Sequence, residues 1–218
     1  MPFRTRLTRR AAKAGLYLPD DLCAALVSYY ELLSRWNRKI NLTALTDPDD
    51  AIDRLLLEPL AAARALPGPT ARLLDVGSGG GSPAIPMKLA APGVTLTMVE
   101  VKARKSAFLR EAVRHLELER TTVETGRFEE LLTRPELHET CDVVSVRAVR
   151  VEARSLMTLQ AFLRPGGILM LFRGSHGSDL QLVLPPLEHI QTIPLLEATQ
   201  SRLMILRKRS AEIDLLDV

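Results

Sequence analysis

From Asp21 to Trp36 the apolar positions Leu22, Leu26, Tyr29, Leu33 and Trp36 recur at spacings of four, three, four and three, which predicts an amphipathic helix. Pro19-Asp20-Asp21 gives it an acidic start at the positive end of the helix dipole. A second helix is predicted from Asp47-Pro48-Asp49-Asp50, with Asp47 capping the free N–H groups and Pro48 losing nothing in the first turn. Its stripe is Ile52, Leu55, Leu56, Leu60 and Ala63. Pro59 should kink or divide that helix, and Pro67-Gly68-Pro69 should end it.

From Ala71 onward short β-rich runs alternate with helical ones, the pattern of a parallel sheet covered by helices. Seven strands are predicted: Arg72 to Val76, Thr95 to Val99, Thr121 to Glu124, Asp142 to Val146, Gly167 to Phe172, His189 to Pro194 and Arg202 to Arg207. Helices are predicted at Pro83 to Ala91, Ala103 to Leu116, Phe128 to Thr133 and Glu152 to Phe162. Nothing of helical length separates the last two strands, so they should form a hairpin at a sheet edge, with an antiparallel edge strand on an otherwise parallel sheet. The segment after Lys208 reads as a tail. The predicted fold is α/β, a helical extension over 1–68 followed by a sheet domain over 69–218.

Composition adds exclusions. Hydrophobic residues at 46% and charged residues at 25% of 218 exclude disordered and low-complexity classes. The apolar run Ile168 to Phe172, like every other in the sequence, is far short of the roughly 20 residues a membrane helix needs. The basic start runs into Ala14-Gly15-Leu16-Tyr17-Leu18-Pro19 rather than a long apolar stretch, so no secretory signal is expected and the cytoplasm is the expected location; a monomer is expected. Cys23 and Cys141 offer neither a disulfide framework nor metal-ligand spacing, and no metal is expected. Net charge is only +3, too little to announce a nucleic-acid binder, yet Arg4, Arg6, Arg9, Arg10 and Lys13 form an arm without an acid. Further cations cluster at Arg147, Arg150 and Arg154 and at Arg202, Arg207, Lys208 and Arg209.

The chemistry concentrates in Leu73-Leu74-Asp75-Val76-Gly77-Ser78-Gly79-Gly80-Gly81-Ser82-Pro83, an apolar strand entering a glycine-rich turn and a helix start. Such a turn lets backbone approach a ligand closely. A dinucleotide fingerprint from Gly77 would need glycine where Ser82 stands, and an NAD-linked oxidoreductase would need room for a substrate domain. Asp75 fits S-adenosylmethionine better, as a partner for its ammonium, directly or through water. Glu100 ends the second strand, where a carboxylate can take both ribose hydroxyls of an adenosine. Gly126-Arg127-Phe128-Glu129 follows the third strand, where the adenine would lie. The turn lacks the Lys-Ser/Thr ending of a P-loop. His115, His138, His176 and His189 are scattered and read as surface or structural groups, and Ser175-His176-Gly177 as no nucleophile and base.

These residues resemble the small-subunit ribosomal RNA guanine N7-methyltransferases, the glucose-inhibited division protein B family. Trp36-Asn37-Arg38-Lys39-Ile40-Asn41-Leu42-Thr43-Ala44 resembles the family's N-terminal signature. Asp75 to Gly81 with Pro83 and Ile85-Pro86 is similar to its cofactor loop, Arg104-Lys105 with Phe108-Leu109 to its next helix. Arg127 with Glu129, Arg147-Ala148 and Pro165-Gly166-Gly167 complete the match. The chain departs from it at Arg54-Leu55-Leu56-Leu57-Glu58-Pro59-Leu60, where the family usually shows arginine-histidine-isoleucine-leucine-aspartate-serine-leucine, at Ala84, and at Arg173-Gly174.

The resemblance implies a class I methyltransferase, a Rossmann-like sheet, with Asp75, Gly77, Ser78, Gly79, Gly80, Glu100, Arg127, Phe128, Glu129 and Arg147 at the cofactor. It implies small-subunit ribosomal RNA, free or in the small ribosomal subunit, as partner. N7 of guanine is a lone pair with no proton to lose, so no general base is expected. The catalytic residues are expected to be Arg147, on a phosphate or O6 because a cation on N7 would oppose transfer, and Arg127, assisting at phosphate or base. The arm from Arg4 to Lys13, with Arg38 and Lys39, is expected to meet RNA phosphates. A small-molecule methyltransferase and an RNA-binding module without transfer activity are the other readings.

Overall fold

A computed structural model describes residues 1–45, 47–147, 152–174 and 183–210. Ala148, Arg150, Ser175-His176-Gly177 and most of the expected tail, 211–218, lie outside the described residues.

Strands β1 (Arg72–Val76), β2 (Thr95–Glu100), β3 (Thr121–Thr125), β4 (Cys141–Arg147), β5 (Leu163–Arg173), β6 (Leu187–Leu196) and β7 (Ser201–Lys208) form one sheet in the order β3-β2-β1-β4-β5-β7-β6. β1 to β5 pair in parallel; β1, β4 and β5 carry the buried, near-continuous apolar runs of such a sheet, while β3, rich in threonine and only half-buried, is its edge. The β6–β7 hairpin closes one end of the sheet. Within it β7 runs antiparallel to both neighbours, so the antiparallel strand stands one place in from the edge and β6 lies outside it.

Helices α5 (Ala84–Ala90), α6 (Ala103–His115) and α7 (Ala153–Phe162) connect the strands. The helix expected over Phe128 to Thr133 is instead a 3₁₀ turn, Phe128–Thr133, followed by another, Pro135–Leu137. The few residues between Gly126 and Pro135 cannot repay helix nucleation, and a tighter turn takes its place.

The extension holds α1 (Phe3–Lys13), α2 (Asp20–Asn37) and a longer helix built of α3 (Pro48–Ala51), a π-helical turn (Ile52–Leu57) and α4 (Glu58–Ala63). Asp47 caps α3 by accepting the N–H groups of Asp49 and Asp50 at 2.7 and 3.1 Å. The basic arm, to which the sequence pattern assigns no element, is the helix α1. Leu7 and Ala11 are buried on one side of it, and Phe3 stacks on Tyr30 with ring centroids 4.0 Å apart. Three of its five cations, Arg4, Arg6 and Arg10, face acids of the same extension. Arg4 pairs with Asp20 at 2.7 Å, Arg6 with Asp49 at 2.8 Å, and Arg10 with Asp49 at 3.1 Å and Asp53 at 2.5 Å. Lys208 is likewise no surface charge: its ammonium is buried, donating to Glu139 and to the carbonyls of Gln160 and Leu163.

One hydrophobic core runs across the Pro67–Pro69 boundary, joining Leu26, Tyr29, Leu33, Ile52 and Leu56 of the extension to Leu73, Ile85, Met87, Leu96 and Phe108. A second, from Leu74 and Val144 to Phe162 and Leu206, fills the other face of the sheet. Among the described residues no helix is long and apolar enough to cross a membrane.

Candidate active site

β1 delivers Asp75 and then turns through Gly77, Gly79 and Gly81, all in left-handed backbone at φ of 75°, 51° and 86°. A side chain at any of them is strained whatever space surrounds it. The turn is tied to β2: the N–H groups of Gly77 and Ser78 both donate to Val99 O at 2.9 and 3.1 Å. Ser78 is buried and its hydroxyl donates to Asp75 O, so it braces the loop from within.

Glu100 closes β2 with its carboxylate already oriented. Oε2 accepts the Gly79 N–H at 2.9 Å and Oε1 the Lys102 N–H at 2.8 Å. Each oxygen keeps a further lone pair, and the residue lines a cleft of about 340 Å³ with Val76, Gly77, Val99, Val101, Gly126, Arg127, Phe128, Glu129 and Ser155. Five of the expected cofactor residues, Gly77, Glu100, Arg127, Phe128 and Glu129, therefore meet in one cleft. The sequence reading missed Val101, a large apolar side chain 57% exposed directly after Glu100, and Ser155. The signal for Val101 was its place after the acid at the end of β2. Arg127 is exposed and only loosely paired, 3.9 Å from Glu129.

Asp75 does not line this cleft. It lies buried beside β4, where the Ser145 hydroxyl donates to Oδ1 at 2.6 Å. Its Oδ2 is buried without a partner among the described residues. Burial pushes its carboxyl up to about 6, against the hydrogen bond from Ser145 and the charge of Arg147. A buried acceptor left open behind a glycine turn fits a donor, and the ammonium of S-adenosylmethionine is such a donor.

Gly80 faces the extension. A Cβ there would stand 3.1 Å from Leu33 and 3.3 Å from Leu42 O, and the buried Tyr29 hydroxyl donates to Gly80 O at 2.5 Å. Leu42 is held by Asn37, whose side chain accepts from Leu42 and Thr43 N–H at 2.8 and 3.0 Å and donates to Thr43 O at 3.0 Å. The Trp-Asn and Asn-Leu-Thr segment thus braces the loop from behind.

Arg147, at the end of β4, is held by the helical extension. Nη2 donates to Glu58 Oε2 at 2.5 Å and Nη1 to Arg54 O at 2.5 Å, with Ser82 Oγ 3.5 Å away and the Phe172 ring centroid 5.4 Å from Cζ. Burial lowers its pKa, opposed by Glu58. Neither Glu58 nor Ser82 was singled out by sequence as its partner; the visible signal was Pro59, which removes an N–H from the helix that carries Glu58. His115, His138 and His189 are exposed and bonded to Ser28, Leu132 O and Thr192. Cys23 and Cys141 are free thiols.

With that geometry in hand, a profile of the family described as rRNA small subunit methyltransferase G matches residues 22–185. A Burkholderia cenocepacia protein named ribosomal RNA small subunit methyltransferase G is 33% identical over 198 residues, covering 88% of this chain and 87% of that protein. A Leptothrix cholodnii protein of the same name is 32% identical, covering 96% of this chain and 97% of its own. The fold is shared with solved structures at lower identity. The mitomycin 7-O-methyltransferase MmcR matches at TM-score 0.59 and 17% identity over 95% of this chain and 69% of its own. TYW2 of Pyrococcus horikoshii, solved with MeSAdo, matches at TM-score 0.54 and 12% identity over 70% and 62%.

Proposed function

Because the chain belongs to the rRNA small subunit methyltransferase G family, we propose that it methylates N7 of a guanine in small-subunit ribosomal RNA, with S-adenosylmethionine as donor. The observation that carries the donor is the partnerless, buried Asp75 Oδ2 beneath a left-handed glycine turn. When bound, S-adenosylmethionine supplies an electrophilic sulfonium methyl. Asp75 holds its ammonium, Glu100 accepts from its ribose hydroxyls, and Gly126, Phe128 and Val101 give the adenine an apolar and backbone wall.

The acceptor nitrogen carries no proton, so these residues need only bind and orient, and an oriented pair gains most of the acceleration that positioning supplies. Arg147, fixed on the extension, uses its remaining N–H groups toward O6 of the base. Arg127, exposed at the cleft, meets a phosphate. The extension, residues 1–68, docks the RNA through cations the fold leaves on its surface, Arg38 and Lys39 among them. The base must be unstacked, since N7 lies in the deep groove of an RNA duplex. We place the enzyme in the cytoplasm with its substrate, acting as a monomer.

The test is transfer of labelled methyl to purified small ribosomal subunits, free ribosomal RNA and a small-molecule extract, followed by nucleoside analysis. Recovery of 7-methylguanosine from RNA is expected. Label confined to the small-molecule fraction refutes the reading.

A further inference from the structure

Pro59 accounts for the irregular helix that carries Glu58. Proline has no N–H to give to the preceding turn, and its ring crowds the carbonyl there. The ladder widens into the π-helical turn, where Glu58 N–H reaches back to Asp53 O. One residue further, that register would direct an N–H to Arg54 O, and an α register would direct it to Leu55 O. Residue 59 has none to give. Both carbonyls are met from the other side: Arg147 Nη1 donates to Arg54 O at 2.5 Å and Ser82 Oγ to Leu55 O at 3.0 Å. Carbonyls freed by a helix break must find such partners when buried.

Glu58 adds the second hold on Arg147. Its Oε2 accepts from Nη2 at 2.5 Å, while its Oε1 is buried with no partner among the described residues. A buried carboxylate with one oxygen unmet is a poor stabilising device, since a well-packed apolar pair is often as stable as a buried ion pair. The arrangement makes sense if its purpose is the guanidinium. Contacts to two different nitrogens of a planar, rigid group fix its position and its twist together.

Resting on the proposed methyl transfer, we propose that Glu58 is a positioning residue: with Arg54 O it sets the plane of the Arg147 guanidinium at the acceptor end of the site. The helical extension, not β4 alone, then aims Arg147. Glu58 acts through Arg147.

The test compares wild type, Glu58→Gln, Glu58→Asp, Arg147→Gln and the Glu58→Gln/Arg147→Gln double variant. Calorimetry gives the Kd for S-adenosylmethionine, turnover on unmodified small ribosomal subunits gives kcat and KM, and nitrogen-15 NMR gives the rotation rate of the Arg147 guanidinium. Glu58→Gln is expected to keep the cofactor Kd within about twofold and to lower kcat by up to about 100-fold, the scale of a small misplacement at a reacting centre. Glu58→Asp, which keeps the charge on a shorter stem, recovers part of that loss and serves where Glu58→Gln folds poorly. Arg147 rotation is expected to be slow in wild type and fast in Glu58→Gln. In the Arg147→Gln background, Glu58→Gln should change kcat no further. A full additional loss there, an equal loss of cofactor affinity, or a guanidinium that stays locked in Glu58→Gln overturns the proposal. If wild type labels no RNA, the acceptor reading falls, and the rotation rates alone decide whether Glu58 positions Arg147.

Discussion

Replacing Asp75 by asparagine should make the free protein more stable and the enzyme worse. Asp75 is fully buried and its carboxyl rises from 3.8 to about 6. At about 1.36 kcal/mol per pH unit, keeping it ionised costs roughly 3 kcal/mol above that range. The sign follows from linkage. The folded state holds the proton more tightly than the unfolded one, so stability falls as pH rises from 3.8 to about 6 and stays lower beyond. The asparagine amide cannot ionise and keeps an acceptor for Ser145. Its gain over wild type should be near zero at pH 4 and at most about 3 kcal/mol at pH 8, or roughly 6–12 °C in Tm for a chain of this size. Cofactor affinity should move the other way. A hydrogen bond to a charged group is worth about 1.5–3 kcal/mol, so Kd rises about 10- to 100-fold. Wild-type affinity should also weaken as pH drops through about 6, where free Asp75 takes up a proton, while the weak binding of the variant stays flat. Chemical unfolding and calorimetry at pH 4, 6 and 8 measure both. An Asp75→Asn protein that is destabilised equally at every pH, or that binds cofactor as wild type does, refutes the reasoning.

Gly79→Val forces a β-branched residue into φ of 51°, so the loop should distort and lose the Gly79–Glu100 bond; calorimetry should find no cofactor binding while far-UV circular dichroism is unchanged. Tyr29→Phe strips Gly80 O of its donor and should cost about 1–3 kcal/mol, the range for a buried group left unsatisfied, measured by urea unfolding. Arg10→Ala leaves Asp53, whose side chain is only 7% exposed, without its partner and should cost about 1–3 kcal/mol by urea unfolding at neutral pH. Arg38→Ala and Lys39→Ala should each reduce the slope of log affinity for ribosomal RNA against log salt by about 1, whereas Arg4→Ala, already paired with Asp20, should leave it unchanged.

The central strands were legible because they are short apolar runs bounded by turn residues, and β1 begins and ends where the pattern places it; β3 was legible from its β-branched Thr121, Thr122 and Val123. The glycine turn and Glu100 were legible for the same local reason. What escaped depended on partners distant in sequence. α1 shows only Phe3, Leu7 and Ala11 as an apolar stripe, thin beside its cations, and those cations look free until Asp49 and Asp53 are brought beside them. Arg147 was visible as a charge after β4, but its occupation by Glu58, 89 positions away, is a tertiary fact. Pro59 announced a break in its helix, not which side chains would meet the carbonyls it released.

The core shared between the helices and the sheet has a consequence for how the molecule opens. Leu33 packs on the glycine turn and Phe108 meets Trp36 edge-on at 5.8 Å, so α2 cannot detach without exposing the floor beneath the cofactor loop. The helical extension and the sheet domain should melt in a single heat-absorption peak, and amides of α2 should exchange with deuterium as slowly as those of β1. A load on the outer helices reaches the loop beneath them as part of the same solid.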